Sequence, residues 1–206
     1  MRVKTEERRQ AIIEVAREAF TAQGFENTSM AEIASRVGGS KATLYNYFSS
    51  KEELFAAMID EFGKQKLADA FTSLQAEQPI NEQLLRLGEH YLQFRLTPEV
   101  LGLQTIIYHE AGRSAIGREY YQRGPKKGWM LVADYLAGQM QRGRLRQADP
   151  WVTAVHLKGL LEAELIEPCV LGAEPMPDEN RLGAIVARAI EAFLLAYAPS
   201  TAASVR

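Results

Sequence analysis

Apolar residues recur three or four positions apart through most of this chain, which is the spacing of one face of a helix. In residues 5–23 the apolar face consists of Ile12, Ala16, Ala19 and Phe20. In residues 30–37 the same spacing links Met30, Ile33, Ala34 and Val37. Strict alternation of apolar and polar residues, the pattern of a half-buried strand, does not extend over a useful length. The pattern therefore predicts an all-α fold.

A long helix is predicted to follow these segments and to connect two parts of the chain. Ser50 and Glu53 form a capping box at its start, and its apolar residues continue to about Leu74. Prolines and glycines separate the amphipathic stretches that come after it. These stretches predict helices at about 80–96, 99–111, 114–122, 125–142, 150–171 and 178–197. We therefore expect a three-helix domain in residues 1–50 and a larger helical domain in residues 51–206, with the connecting helix beginning at residue 51.

Residues 29–48 predict two short helices joined by a tight turn. Ser29 and Glu32 form a capping box at the start of the first helix. Gly38 and Gly39 can adopt the left-handed or strained backbone that ends one helix and turns into the next, which Ser40 is placed to cap. Two helices this short need support from the helix in residues 5–23. Three helices in this arrangement are typical of a helix-turn-helix domain.

The second helix of this motif is expected to present a mixed polar surface. Leu44 and Phe48, four positions apart, are expected to pack inward. The outer surface would then consist of Lys41, Ala42, Thr43, Tyr45, Asn46 and Tyr47. Small residues allow close approach to base edges, while hydroxyls and a lysine reach phosphates, so this surface suits the major groove of DNA.

Two lysines lie where a helix dipole disfavours a cation. Lys41 and Lys51 each fall in the first turn of a predicted helix, so an anionic partner would account for their placement. The alternative is that both are solvated surface lysines.

From about Thr5 to Phe62 the chain resembles the DNA-binding domain of TetR-family transcriptional regulators. The matching elements are Gly24-Phe25, Thr28, Ile33-Ala34, Gly38, residues 40–48 and residues 50–55. By that resemblance, phosphates would be contacted by Thr28 or Ser29, Ser40, Thr43, Tyr45, Tyr47 and Lys51. The residues nearest the base edges would be Lys41, Ala42 and Asn46. Gly39 stands where the family usually has a small apolar residue such as valine, which removes some burial and adds backbone freedom in the turn.

Length and charge agree with a protein of two parts. With 206 residues, of which 47% are hydrophobic, the chain can hold a small DNA-reading domain and a larger core-forming domain. Its net charge is −2, yet the first 51 residues hold eight Lys or Arg against six acidic residues. We therefore expect non-specific DNA affinity to be modest and to depend strongly on salt.

The sequence favours a cytoplasmic location without a membrane partner. No apolar run is long enough for a membrane span, and the N-terminus is charged where a signal peptide would have an apolar core. Cys169 is the only cysteine, so no internal disulfide can form, and a single thiol fits a reducing compartment.

Enzymatic chemistry, a cofactor and a metal site are not expected. No glycine-rich phosphate loop, nucleophile motif or carboxylate pair occurs in the sequence. His90, His109 and His156 lie far apart and lack the spacing of metal ligands.

Aromatic and apolar residues between the connecting helix and the last two long helices suggest a small-molecule pocket. The candidates are Tyr91, Phe94, Leu103, Ile107, Tyr108, Tyr120, Trp129 and Met130. Most of them are expected to be core residues, and for any single aromatic residue packing is favoured over ligand contact.

The last two long helices carry wide apolar faces that predict a homodimer. Candidate interface residues are Leu157, Leu161, Ile185, Ala189 and Phe193. The alternative is that these helices are buried within one subunit. Residues 102–159 resemble the C-terminal domains of an AefR-like subgroup of the TetR family, and the family resemblance implies a four-helix interface from these two helices of each subunit. A two-fold dimer would set two reading helices about one DNA turn apart.

These observations together predict a ligand-responsive transcriptional regulator. It would act as a homodimeric repressor on a palindromic, double-stranded DNA operator and be released by a small hydrophobic or aromatic effector. The alternative is a DNA-bound structural or cell-division factor that uses the same scaffold to hold a protein partner in place of a ligand.

Overall fold

The computed structural model describes residues 5–72, 74–75, 77–112 and 115–199. These residues form helices and loops without a strand, so the predicted all-α fold is confirmed. The helices are α1 Glu6–Gln23, α2 Met30–Arg36, α3 Lys41–Tyr47, α4 Lys51–Thr72, α5 Ile80–Arg95, α6 Pro98–Glu110, α7 Ile116–Arg123, α8 Pro125–Gln141, α9 Pro150–Glu162, α10 Ile166–Val170 and α11 Glu179–Ala196. Within this part of the chain, none of the helices has both the length and the apolarity to cross a membrane.

Short polar side chains fix the starts of six of these helices. The residues Thr5, Ser29, Ser40, Ser50, Asp149 and Asp178 each accept a hydrogen bond from the backbone amide three positions later. Each such cap satisfies one of the amides that a helix start leaves without an intrahelical partner. These local bonds explain why the helix starts agree closely with the sequence pattern.

The single helix predicted for residues 150–171 is wrong. The structure ends α9 at Glu162, passes through a turn and begins α10 at Ile166. Pro168 supplies the physical reason, because a proline inside a helix lacks the amide and clashes with the carbonyl four residues earlier. The break places Pro168 in the first turn of α10, where a proline is tolerated.

Two compact units make up the fold, and the first comprises residues 1–65 and 98–125. Phe20, Phe25 and Phe55 form the centre of its core, with ring centroids 5.3 to 5.4 Å apart. Helices α1, α2 and α3 surround this cluster, and Leu44 and Phe48 bury the inner side of α3 against it. The first unit therefore gives the short α3 the packing partners that a seven-residue helix needs.

The second unit comprises residues 66–97 and 126–206, and α5, α9 and α11 pack together in it. Trp129 lies at its aromatic centre, 5.0 Å from the Tyr91 ring and 5.9 Å from the Phe71 ring. Gly88 allows α5 to approach its neighbours closely, because a Cβ there would lie 2.7 Å from Val186.

Candidate nucleic-acid interface

The turn between α2 and α3 is a helix-ending motif built on Gly38. Gly38 has φ of 72°, a left-handed conformation that L side chains rarely adopt. Its amide donates to the Ser35 carbonyl at 3.0 Å, and the Gly39 amide donates to the Ala34 carbonyl at 2.9 Å. These two bonds form a Schellman motif, which stops α2 and redirects the chain into α3. The predicted glycine turn is thus present.

Of the two hydrogen bonds in each predicted capping box, the structure contains the one that the serine accepts. Ser29 Oγ accepts from the Glu32 amide at 3.1 Å, but the Glu32 carboxylate accepts from Gln23 Nε2 at 2.7 Å. Likewise Ser50 Oγ accepts from the Glu53 amide at 3.1 Å, while Glu53 Oε2 accepts from the Ser49 amide at 2.7 Å. In each case the serine caps the helix, and the glutamate side chain accepts a hydrogen bond from a residue that precedes the helix.

Helix α3 has a buried side and an exposed side. Leu44 and Phe48 are fully buried, as the sequence predicts. The exposed residues on the helix are Lys41, Ala42, Tyr45 and Asn46. Thr43 and Tyr47 are partly buried at the edges of this exposed side. Four candidate DNA contacts therefore lie together on one accessible surface.

Hydroxyl groups gather at the N-terminal end of α3. Ser40 Oγ caps the helix by accepting from the Thr43 amide at 3.1 Å, and it also lies 2.9 Å from Thr43 Oγ1. Ser29 and Ser40 are both exposed, and within the Ser40–Thr43 pair the hydroxyl that does not donate to the other can donate to an anion. This arrangement fits contact with a DNA phosphate.

The expectation that Thr28 faces a phosphate is corrected by the structure. Its side chain is only 1% exposed, and its hydroxyl donates to the Gly24 carbonyl at 2.8 Å. The Ala19 carbonyl oxygen also lies near this hydroxyl, at 3.3 Å. Thr28 therefore joins the end of α1 to the start of α2, and of the two adjacent candidates Ser29 is the exposed one.

Lys51 has partners within the protein. Its Nζ donates to the Phe25 carbonyl at 2.7 Å and lies 3.4 Å from the Glu26 carbonyl. It also lies 4.2 Å from the centroid of the Phe25 ring, a cation–π distance. These contacts explain a cation in the first turn of α4 without an external anion. The position of Lys51 is therefore no longer an argument for DNA binding. Lys41 remains exposed, with its Nζ 5.8 Å from the Tyr45 ring.

Two arginines of α1 contact the motif, and sequence reasoning missed both. Arg8 Nη2 donates to the Gly38 carbonyl at 3.1 Å. The Arg9 guanidinium lies 5.6 Å from the centroid of the Phe48 ring. The sequence signal was a pair of cations in the first turn of a helix, the same unfavourable placement that drew attention to Lys41.

The eight candidate effector residues do not form one group within a unit. Leu103, Ile107 and Tyr120 pack in the core of the first unit. Tyr91 and Trp129 pack in the core of the second unit, where Phe94 is partly buried.

Two of the eight candidates do not lie in a core. Tyr108 is 65% exposed and Met130 is 49% exposed. The helical period explains this difference, since each directly follows a buried residue, Ile107 or Trp129, and so lies about 100° around the helix from it. Their positions do not support a place in the lining of an enclosed pocket.

The five candidate dimer residues are buried inside their own subunit. These residues are Leu157, Leu161, Ile185, Ala189 and Phe193, and all belong to the second core. The alternative interpretation of these helices therefore holds for the residues named. The physical reason is that both helices are apolar on two sides. The helical spacing of the apolar residues does not by itself say which side packs inward.

An exposed apolar surface occupies the other side of α9 and α11. We call it the apolar stripe, and it consists of Val152, Val155 and Gly159 on α9 with Ala192 and Leu195 on α11. Leu195 is 74% exposed and Val155 is 40% exposed. Because α9 and α11 pack against each other, exposed apolar residues on both helices make this side a candidate interaction surface.

Two family models match the chain. The model described as bacterial regulatory proteins of the tetR family matches residues 12–58. The model described as the C-terminal domain of an AefR-like transcriptional repressor matches residues 82–199, which is more than half of the chain. The first match covers α2, α3 and the exposed side of α3.

Individual relatives agree with these models. FrrA, a flavonoid-responsive regulator of known structure, is 30% identical, with a TM-score of 0.82 over 95% of this chain and 100% of that one. YhgD of Bacillus subtilis (strain 168), an HTH-type transcriptional regulator, is 27% identical over 72% of this chain and 77% of its own. The nucleoid occlusion factor SlmA of Haemophilus influenzae is 25% identical over 80% of this chain and 76% of its own.

Proposed function

The chain belongs to the TetR family of transcriptional regulators, and from that premise we propose that it is a homodimeric repressor released from a palindromic operator by a small hydrophobic or aromatic effector. Its relatives are DNA-binding regulators and not enzymes. The observation that carries the proposal is the exposed side of α3, where Lys41, Ala42, Tyr45 and Asn46 lie above a fully buried Leu44 and Phe48.

This side of α3 suits direct reading of base pairs in the major groove. Ala42 is small enough to let the helix backbone approach the base edges, and Asn46 carries the amide that can pair with adenine. Ser29, Ser40 and Thr43 supply hydroxyls beside it, and Tyr45 supplies a phenol, for phosphate oxygens. We assign base reading to Lys41, Ala42 and Asn46 on this basis.

The proposed dimer forms through the apolar stripe. Gly159 and Ala192 are small enough to let two helices approach closely, while Val155 and Leu195 provide area to bury. A two-fold axis through this surface brings each residue of one protomer against the same patch of its partner. Two copies of α3 would then read half-sites about 34 to 36 Å apart, which is why the operator is expected to be a palindrome.

Repression and its release are supported by the relatives. The model that matches residues 82–199 describes a repressor, and FrrA is described as responsive to flavonoids, which are aromatic. In this chain Tyr91 and Trp129, with Phe94 nearby in sequence, are the aromatic candidates of the second unit. To lower operator affinity a hundredfold, an effector must prefer the released state by about 2.7 kcal/mol. A protein that acts on a chromosomal operator would work in the cytoplasm.

A second candidate function is supported by the likeness to SlmA, which is a nucleoid occlusion factor. In that case the chain would bind many chromosomal sites and hold a protein partner without responding to a small molecule. Mapping its binding sites along the chromosome separates the two functions. A few promoter sites favour the regulator, while widely spread sites whose occupancy no effector changes favour the second function.

The proposal is tested by letting the purified protein enrich a duplex from a random-sequence pool of DNA. We expect a palindromic duplex, tight binding measured by fluorescence anisotropy across a salt series, and a mass of two chains by light scattering. A flavonoid aglycone should then weaken the binding, and a sugar should not. Equal affinity for the enriched duplex and an unrelated duplex would contradict the proposal.

A further inference from the structure

Two consecutive glycines form the turn before α3, but only the first is required by its backbone. Gly38 has φ of 72°, in the left-handed region. Gly39 does not have a positive φ, so its backbone conformation does not by itself require glycine. The backbone alone therefore does not account for a glycine at position 39.

The guanidinium of Arg8 lies in the space that a side chain at position 39 would need. A Cβ built on Gly39 would be 3.0 Å from Arg8 Nη2, and the next nearest atoms would be 3.9 Å away. The same Nη2 donates to the Gly38 carbonyl at 3.1 Å. One side chain from α1 thus fills the gap above Gly39 and holds the carbonyl of the residue before it.

The first turn of α1 also contacts the other end of α3. The amide of Thr5 donates to the Tyr47 hydroxyl at 3.2 Å, and Arg9 lies over the Phe48 ring at 5.6 Å. Contacts from one helical turn therefore reach the turn before α3 and the last residues of α3. Because α3 has only seven residues, such external contacts decide how firmly it is held.

We propose that Arg8 is a positioning residue for α3 and that it acts as a pair with Gly39. The guanidinium takes the place of an apolar side chain at position 39 and fixes the turn through the Gly38 carbonyl. This inference rests on the proposed function, because the purpose of a fixed α3 is sequence-selective DNA binding. It adds a residue outside the helix-turn-helix motif to the set that determines specificity.

The surroundings of this pair make an apolar replacement possible. Arg8 and Gly39 line a small cleft whose other residues are Ile12, Ala34, Val37, Ser40, Thr43 and Leu44. Four of those six are apolar, so a valine at position 39 would find hydrophobic contacts if the guanidinium were removed. With Arg8 present, the same valine would press against Nη2, which would have to shift from its position at the Gly38 carbonyl.

The test is a double-mutant cycle of Arg8→Ala, Gly39→Val and the double variant. Binding is measured on the duplex that the wild-type protein enriches from a random-sequence pool. Each single variant should bind this duplex about three- to tenfold more weakly, the range expected for one lost hydrogen bond. The double variant should bind no more weakly than Arg8→Ala alone, because the valine then fills the space that Arg8 has left and no guanidinium remains for it to displace.

Salt dependence separates positioning from a simple phosphate contact. For Arg8→Ala we expect affinity for the enriched duplex to fall while affinity for an unrelated duplex and the salt slope stay unchanged. Loss of one phosphate contact would weaken both duplexes alike and reduce the salt slope by about one. That second result would overturn the proposal.

Matched control variants exist in the first unit. Arg17→Ala removes a guanidinium of α1 that pairs with Glu14 on the same helix. Gly102→Val adds the same side chain at a position where a Cβ would meet nothing within 4 Å. Both controls should bind the enriched duplex as wild type does. If the two substitutions in the pair also gave wild-type binding, the inference would fail while the proposed function stood.

The same double-mutant cycle can be measured by protein unfolding, without DNA. If the wild-type protein enriched no duplex, the proposed function would fail, but the unfolding midpoints of the four proteins would still test the pair. Strictly additive effects of Arg8→Ala and Gly39→Val on unfolding would overturn the coupling between them.

Discussion

The hydroxyl of Tyr91 on α5 donates a 2.6 Å hydrogen bond to Oε1 of Glu162 at the end of α9. Arg95 Nε donates to the same oxygen at 3.1 Å, and Lys158 bonds to the other carboxylate oxygen. Burial, together with the charge of Glu162, raises the pKa of Tyr91 well above its ordinary value, so the phenol stays protonated and continues to donate.

A change at Glu162 should alter how stability depends on pH. Burial raises the pKa of this carboxyl, but Lys158, Tyr91 and Arg95 together outweigh burial, so its pKa lies below the ordinary 4.5. The ionised form therefore adds stability that is fully present above about pH 4.5 and is lost as pH falls through the pKa of the folded state. Glu162→Gln should lower the free energy of unfolding at pH 7 by about 2 to 4 kcal/mol.

This prediction is checked by urea unfolding of the wild type and Glu162→Gln between pH 3 and pH 7. The difference in free energy should stay constant above pH 4.5 and shrink below it. A similar variant of the exposed pair of Glu164 and Arg188, Glu164→Gln, serves as the control and should cost much less. A difference for Glu162→Gln that did not change with pH would contradict this account.

The contact of Gly88 with its neighbours predicts a large effect from one added methyl group. A Cβ at position 88 would lie 2.7 Å from Val186 Cγ1 and 2.9 Å from Leu161 Cδ2. Gly88→Ala should therefore destabilise the protein by about 1 to 3 kcal/mol, although alanine is the better helix former. Thermal unfolding measures the change, with Gly183→Ala on α11 as a control because its Cβ would meet nothing within 4 Å. Equal stabilisation by both alanines would refute the close approach.

Tyr45 and Lys51 should respond differently to substitution. Tyr45→Ala removes an exposed side chain from α3 and should weaken binding to the enriched duplex about tenfold without changing the unfolding midpoint. Lys51→Met should weaken binding and also lower the midpoint, because Lys51 holds the Phe25 carbonyl at 2.7 Å. Anisotropy and calorimetry give the two readouts. Tyr121→Ala, at a tyrosine of similar exposure on α7, should change neither.

The two sides of α9 and α11 should behave in opposite ways. Val155→Glu or Leu195→Glu places a charge in the apolar stripe and should give a folded monomer. Leu157→Ala truncates a fully buried side chain and should lower the free energy of unfolding by about 2 to 5 kcal/mol with the dimer intact while folded. Light scattering reports the mass, and Leu131→Glu on α8, with 48% exposure, is the matched control. Dimers that persist in both stripe variants would rule out this interface.

Much of the DNA-reading motif could be predicted because its determinants are local. Ser40 caps the amide three residues later, and Gly38 supplies a positive φ, so each residue acts through its nearest neighbours. The same holds for Leu44 and Phe48, whose spacing sets the buried side of α3. Local rules of this kind can be read from a sequence without knowledge of the tertiary fold.

Contacts between distant residues could not be predicted in this way. Leu157 and Val155 are both apolar residues of α9, and only the packing of α5 and α11 decides that Leu157 lies inside. Thr28 and Ser29 are adjacent hydroxyl residues, and the carbonyls of α1 and Gly24 decide that Thr28 is buried. The break before Pro168, in contrast, followed from a local rule that the apolar spacing concealed.

The pairing of Arg8 with Gly39 has a consequence for the history of the family. The backbone at position 39 does not require glycine, so under the proposed pairing the restriction on its side chain comes from the guanidinium at position 8. Across relatives, a long cation at the position of Arg8 should then accompany glycine, and a bulkier residue at the position of Gly39 should accompany a shorter one at position 8. In a lineage that changes one of the two, the other should change soon afterwards, and the two positions should be inherited as a unit although they lie 31 positions apart in the sequence.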